Sequence, residues 1–282
     1  MTENQPMKIP GLTIRKATEM EDWGVCIALY GPPGVGKTTR AADLADSEYG
    51  APLVIVDAEG GTRAISDRSD IDVIDIKSWN DLGRFTSAIR KMSPIPWKTI
   101  VFDNLSEYQS LCLRNATQGD LTPQIQHYGQ ATNEMLGFIR LYRDLARTEH
   151  VNIIFIAWEA PEKDEYTGRI KRDVGFTPSL ARQFPGIIDI VGYMTARNNP
   201  PRYTRVLDFA PSPITAAKMR RSNNEHAKNI PLQIEFSMEQ KPLVDIVNTL
   251  RGGLPWPTAK YPRQQNIAQQ SQTQQSQETE KE

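Results

Sequence analysis

The sequence predicts an α/β fold: a central, mostly parallel sheet with helices on both faces and an antiparallel extension near the C-terminus. Three observations carry this expectation. Apolar runs of strand length recur as GVCIALY (24–30), PLVIVDAE (52–59), IDVIDI (71–76), TIVFDN (99–104) and VNIIFIAW (151–158). Strands that are apolar on both faces belong to parallel sheets covered on two sides, and the stretches between these runs read as helices. Beyond them the pattern changes: DIVGYMTA, RYTRVLDFA and PLQIEF resemble strands joined by tight polar loops, which suits antiparallel pairing.

Taken in order, residues 1–23 form a polar arm with Pro10 and Gly11. The first strand ends in a glycine-rich loop, and TTRAADLADSEYG after it reads as a helix stopped at Gly50. Two strands follow. Then Trp79, Leu82, Phe85, Ile89 and Met92 recur at helical spacing behind Ser78, an N-cap residue. After the fourth strand, Met135, Phe138, Ile139, Tyr142 and Leu145 mark another helix, and the fifth strand follows. The segment RQQNIAQQSQTQQSQETEKE is nearly all Gln, Ser, Thr and Glu and cannot bury enough apolar area to offset chain ordering. The expected division is an arm (1–23), one core (24–260) and a disordered Gln-rich tail (261–282). No internal repeat is visible.

The 282 residues carry a net charge of −1 from 33 basic and 34 acidic side chains. That balance excludes a globally basic nucleic-acid binder, so any polyanion site must be a local patch. Cys26 and Cys112 are far apart and the three histidines are scattered, which is not a zinc pattern. No signal-peptide core and no membrane-length apolar run occurs, so the expectation is a soluble, cytoplasmic protein without a membrane partner.

Residues 30–42, YGPPGVGKTTRAA, hold the chemistry. Gly31, Pro32, Pro33, Gly34, Val35, Gly36, Lys37 and Thr38 fit G-x-x-x-x-G-K-[ST] at every fixed position, with Thr39 next. Glycines let successive N–H groups turn inward around a phosphate, and the following helix offers its positive end to the same anion. Lys37 would reach the β- and γ-phosphates of ATP and the Thr38 hydroxyl would coordinate Mg²⁺. A second carboxylate for the metal is expected at the end of another strand, and Asp103 in TIVFDN ends such a run. Asn104 follows it, so a hydrolytic base must come from elsewhere. Glu59 in VIVDAEGG is the candidate: it ends a different strand, and Gly60 and Gly61 after it allow close backbone approach. Asp57 is the weaker alternative.

These motifs resemble those of the RecA-like ATPases, where a glycine loop is followed by a strand ending in a D-x-E-type turn with the catalytic glutamate, then by an aspartate-ending strand. The order GPPGVGKTT, VDAEGGT, TIVFDNLSE and QHYGQ is similar to that of phage-encoded members, which include single-strand annealing proteins and recombinases. The resemblance covers roughly residues 24–222. It implies a RecA-like core and a homo-oligomer, ring or filament. It further implies DNA-stimulated ATP hydrolysis in recombination or annealing in the cytoplasm of a bacterial host, with single-stranded DNA and a single-strand DNA-binding protein as partners. It also implies a trans-acting basic pair two residues apart, which Lys218 and Arg220 in KMRR match, with Arg221 facing the other way. At the sensor position the chain departs from the pattern, because Trp158 and Glu159 stand there.

Two stretches could meet DNA. QGDLTPQIQHYGQ (118–130) offers amides, His127 and Tyr128; EKDEYTGRIKRDVGF (162–176) offers Lys163, Arg169, Lys171 and Arg172 beside Tyr166 and Phe176. Cations pair with phosphates and aromatics stack on bases, although acidic neighbours dilute this second signal. Other readings are an AAA+ loader or remodeller acting on a replication protein, against which Asn104 stands, a phosphotransferase, and a nucleotide-gated binding module.

Overall fold

The computed structural model describes residues 23–261 apart from 119–121, 164, 166–167, 200–201 and 222–223, together with Pro10. The expected arm and Gln-rich tail thus lie almost wholly outside the described residues. The packed part extends to Tyr261, which is buried and stacks on Trp256 with ring centroids 5.1 Å apart.

In chain order the elements are β1 (Cys26–Gly31), α1 (Lys37–Ala42), β2 (Leu53–Asp57), β3 (Ile71–Asp75), α2 (Trp79–Ile89), β4 (Thr99–Asp103), α3 (Leu105–Ala116), α4 (Ile125–Thr148), β5 (Asn152–Lys163), β6 (Ile170–Val174), α5 (Pro178–Ile187), β7 (Ile190–Asn199), β8 (Arg202–Asp208), β9 (Lys218–Met219), β10 (Gln233–Phe236) and α6 (Pro242–Gly252). One sheet runs β10-β8-β7-β1-β5-β4-β2-β3, with β6 on β5 and β9 on β7. From β7 to β3 the neighbours are parallel. DIVGYMTA, expected in the antiparallel extension, instead forms β7 and pairs parallel with β1, whereas β8 and β10 continue the sheet antiparallel, as the change of pattern predicts.

Alternation along β1 sorts its side chains between two cores. Cys26, Ala28 and Tyr30 face a layer of α2, α3, α4 and α5, while Ile27 and Leu29 face α1 and α6. The first core is centred on Phe102, whose ring lies 4.4 Å from Tyr142, 5.1 Å from Phe138 and 5.5 Å from Phe155, centroid to centroid. Phe102→Ala is expected to cost about 3–5 kcal/mol of unfolding free energy, because it removes a fully buried ring and leaves a cavity. Urea denaturation would measure the loss.

Several expected elements shift. The α-helix after the glycine loop ends at Ala42 and continues as a 3₁₀ turn over Asp43–Asp46. The chain then folds back so tightly that a Cβ at Gly50 would lie 2.0 Å from the Leu44 carbonyl oxygen. Ser78 caps α2 as expected, its hydroxyl accepting from the Asp81 N–H at 3.2 Å. That helix stops at Ile89, so Met92 lies beyond it and is exposed. β5 runs past its expected end at Trp158 as far as Lys163, because β6 pairs with this outer part beyond the sheet.

The strand order positions the site. In open α/β sheets ligands bind outside the carboxyl ends of the strands. Along that edge Gly31 of β1 is level with Trp158 of β5, and Asp57 of β2 with Asp103 of β4.

Candidate active site

The glycine loop connects β1 to α1 through Gly36, which has φ 97° at the N-cap, a left-handed conformation favouring glycine. Gly31 approaches the neighbouring strand so closely that a Cβ there would lie 2.0 Å from the Met194 carbonyl oxygen. The buried Lys37 ammonium donates to the Gly31 and Pro32 carbonyls, each at 2.9 Å. Burial lowers its pKa, and the carboxylates of Asp103, Glu59 and Glu159 oppose that shift.

Thr38, at the start of α1, donates its hydroxyl to Asp103 Oδ2 at 2.5 Å. Asp103 is 1 % exposed. Burial pushes its carboxyl up to about 6; the Thr38 hydrogen bond opposes this, and the charges of Asp57 and Glu59 add to it. Among the described residues no group of three or more His, Cys, Asp or Glu could hold a metal by itself. A cation here would therefore share the Thr38 and Asp103 oxygens with phosphate and water, the ligand set that suits Mg²⁺. The surplus of buried carboxylate around Asp103 fits such a cation.

Glu59 follows β2 in a tight turn built by Asp57. The Asp57 carboxylate accepts from the N–H groups of Glu59 (2.9 Å), Gly60 (2.8 Å) and Thr62 (3.2 Å) and from the Thr62 hydroxyl (2.6 Å). Asp57 is thereby spent on shape, and Glu59 is the carboxylate presented to the cleft. Both Glu59 oxygens have donors: the Asn104 amide on Oε2, and the Trp158 indole N–H on Oε1 at 3.3 Å. Asn104 is fixed in turn, since its Oδ1 caps α3 by accepting from the Glu107 N–H at 2.8 Å, leaving the amide N–H to face Glu59. The main-chain N–H of Trp158 donates to the Ser106 hydroxyl at 3.1 Å. The unusual residue at the sensor position thus touches the candidate base, whereas Glu159 accepts from the Tyr193 hydroxyl at 2.8 Å.

One cleft of about 300 Å³ joins these groups. Glu59, Trp158, Asp103, Thr38 and Lys37 line it, together with Arg205 and Met238. Sequence reasoning passed over Asn104 as a donor and Arg205 altogether.

Lys218 and Arg220 lie outside the cleft. Lys218 pairs with Val191, which is level with Ala28, three residues before the glycine loop. Arg220, farther down, is exposed, with Nη1 3.2 Å from Asp189 Oδ1 and Nη2 donating to the Gly186 carbonyl at 3.2 Å. Neither residue reaches its own glycine loop, so any part they play in hydrolysis is at another copy's site.

Lys163, Arg169, Lys171 and Arg172 gather on the β5–β6 hairpin, whose pairing begins at Glu159, directly after Trp158. They do not form one stripe. The register places Lys163 and Arg172 on one face and Lys171 on the other. Lys171 pairs with Asp173 at 2.8 Å, and Arg172 lies 3.9 Å from Glu159. The hairpin base is bonded to the segment before β9: the Arg172 N–H donates to the Ile214 carbonyl at 2.7 Å. The buried Tyr30 hydroxyl donates to the Arg172 carbonyl at 3.2 Å and accepts from the Ala216 N–H at 2.8 Å. In the other stretch, Ile125 is 92 % exposed and Tyr128 41 % exposed on the first turn of α4. Residues 119–121 and Tyr166 lie outside the described residues.

A phosphate-gripping glycine loop, a threonine–aspartate pair beside it and a held glutamate at the carboxyl edge of a parallel sheet define a P-loop nucleotide-binding ATPase. The chain belongs to the family described as AAA domain, whose model matches residues 24–221. Among solved structures it is similar to a KaiC-like protein, PH0186, from the hyperthermophilic archaeon Pyrococcus horikoshii OT3: 16% identity, TM-score 0.43, covering 78% of this chain and 88% of that one. It is also similar to the RadB recombinase: 15% identity, TM-score 0.44, covering 78% and 90%. No curated protein matches the chain.

Proposed function

We propose that this protein is a Mg²⁺-dependent ATPase of the RecA-like type that acts on single-stranded DNA, in phage-type recombination or strand annealing. The observation that carries the reading is the placement of Glu59, held by Asn104 and Trp158 at the end of the cleft where Thr38 and Asp103 meet. Lys37 would bind the β- and γ-phosphates, and Thr38 and Asp103 would hold Mg²⁺, which would supply positive charge against the negative charge developing on the phosphate. Glu59 then orients water and takes its proton as it attacks the terminal phosphorus; the P–O bond to the leaving ADP breaks.

The DNA part of the reading rests on the hairpin. Trp158 touches the base, and the same strand runs on into Lys163. The oligomer part rests on Lys218 and Arg220, which lie outside their own cleft and would supply positive charge to a neighbouring copy in a ring or filament. The arm (1–23), core (24–260) and Gln-rich tail (261–282) are kept as the working division, with the tail or hairpin open to a single-strand DNA-binding protein. No helix among the described residues is long and apolar enough to cross a membrane, and the proposed setting is the cytoplasm, that of a bacterial host if the protein is phage-encoded.

The test is ATP turnover with Mg²⁺, with and without single-stranded DNA, alongside DNA retention at low salt. Stimulation and retention are the expected results. Turnover indifferent to DNA, together with no retention, overturns the DNA assignment and favours the remodeller reading. Binding of ATP without turnover favours a nucleotide-gated module.

A further inference from the structure

Arg205 is a buried cation that the reading above leaves unused. It comes from β8, where it is opposite Ala196 of β7 and Phe236 of β10. Gly31 in β1 follows Tyr30, which pairs with Tyr193, so Ala196 and Arg205 stand above the level of the sheet edge, beside the glycine loop. The guanidinium is 8 % exposed as a residue and lines the cleft. Its Nε donates to the Val35 carbonyl inside the loop at 2.7 Å, its Nη1 meets the Met238 sulfur, and it lies over the Tyr203 ring at 5.3 Å. None of these partners carries a negative charge, and among the described residues no carboxylate forms an ion pair with it. Its buried neighbour Arg40, by contrast, is paired with Asp43 at 3.1 Å.

Buried charges are normally paired, because leaving water costs several kcal/mol per ion. A guanidinium left without a counter-charge on the wall of a phosphate cleft calls for an anion from outside the chain. The strand order says which part of the ligand. Relative to β1, Trp158, Asp103 and Glu59 lie on the β5-β4-β2 side, and Arg205 lies on the β7-β8 side. With neighbouring strands about 4.8 Å apart, the cleft runs across the strands. The terminal phosphate belongs at the Glu59 end. The sugar and its adjoining phosphate belong at the other.

We propose that Arg205 binds the sugar-proximal phosphate of the nucleotide, so that the antiparallel extension completes the pocket from the side opposite the catalytic groups. A forked guanidinium can give that phosphate two hydrogen bonds while Nε keeps the loop carbonyl. The proposal deepens the nucleotide reading and rests on it.

The test measures ADP binding by calorimetry and melting of the ligand-free protein for wild type, Arg205→Met and Arg205→Lys. For Arg205→Met, ADP affinity should fall roughly ten- to hundredfold, the usual effect of losing a hydrogen-bonded charge. Its ligand-free melting temperature should hold or rise, since an uncompensated charge has been replaced by an apolar chain. Arg205→Lys should recover part of the affinity. ADP affinity within twofold of wild type in Arg205→Met overturns the proposal. So does a ligand-free protein that melts several degrees lower, which would make Arg205 a structural brace for the loop. If wild-type protein binds no ADP, the nucleotide reading itself fails; normal wild-type binding with an unaffected variant defeats only the role of Arg205.

Discussion

Glu59→Gln is expected to lower ATP turnover by about 10²–10⁴-fold, the range for loss of a positioned general base, while leaving nucleotide affinity within a few-fold of wild type. The asymmetry follows from geometry. Glu59 faces the cleft through a carboxylate held by Asn104 and Trp158, and it does not belong to the loop that grips phosphate. Glutamine keeps the shape and one acceptor oxygen but cannot take a proton from water. Trp158→Phe removes one of the two donors and keeps the ring's packing; a smaller loss, about tenfold in kcat, is expected for a loosened base. Single-turnover hydrolysis paired with fluorescent-nucleotide binding separates the two effects. Unchanged turnover in Glu59→Gln would remove Glu59 from the mechanism.

Lys37→Ala should act on binding first. In the structure the ammonium is satisfied by two loop carbonyls. Binding a triphosphate would exchange these neutral acceptors for charged ones, and hydrogen bonds to charged groups are worth about 1.5–3 kcal/mol each. Loss of two such bonds predicts ATP affinity down about a hundredfold or more, with turnover abolished at ordinary concentrations. The fold should be spared, because the variant also removes a desolvated charge. Titration calorimetry with ATP and Mg²⁺, beside a melting curve, would check both halves of this expectation.

The parts of the site that could be read in the sequence are contiguous. The glycine loop is one string of eight residues, and the Asp57 turn with Glu59 is five residues of a strand end. Asp103 could be read because an acidic residue closing an apolar run is a local signal. What escaped was the pairing of distant segments. Asn104 looked like a lost carboxylate, and only the placement of α3 turns its amide toward Glu59, 45 positions earlier. Trp158 looked like a missing sensor, because nothing local says that β5 lies between β1 and β4. Arg205 is one arginine in an alternating strand, 170 positions from the carbonyl it touches.

The fold shows the same division. Five of the six parallel strands were visible as apolar runs; the sixth, β7, was grouped with the late strands, whose change of rhythm marks the antiparallel part. The helix α3 was not anticipated, although Leu105, Tyr108, Leu111 and Cys112 recur at helical spacing behind an Asn cap. Its start directly abuts the strand before it, so strand and helix signals merge at Asp103 and Asn104.

One buried hydroxyl ties two outer segments of the molecule to the central strand. Tyr30 sits in the central strand next to the glycine loop, yet its oxygen is shared between the backbone of the hairpin and the backbone leading to Lys218. The direct link from Arg172 to Ile214 closes the same circuit. Neither limb can swing alone without breaking bonds that the other also uses. Displacing the hairpin base would therefore carry the 214–216 segment with it or break these shared bonds.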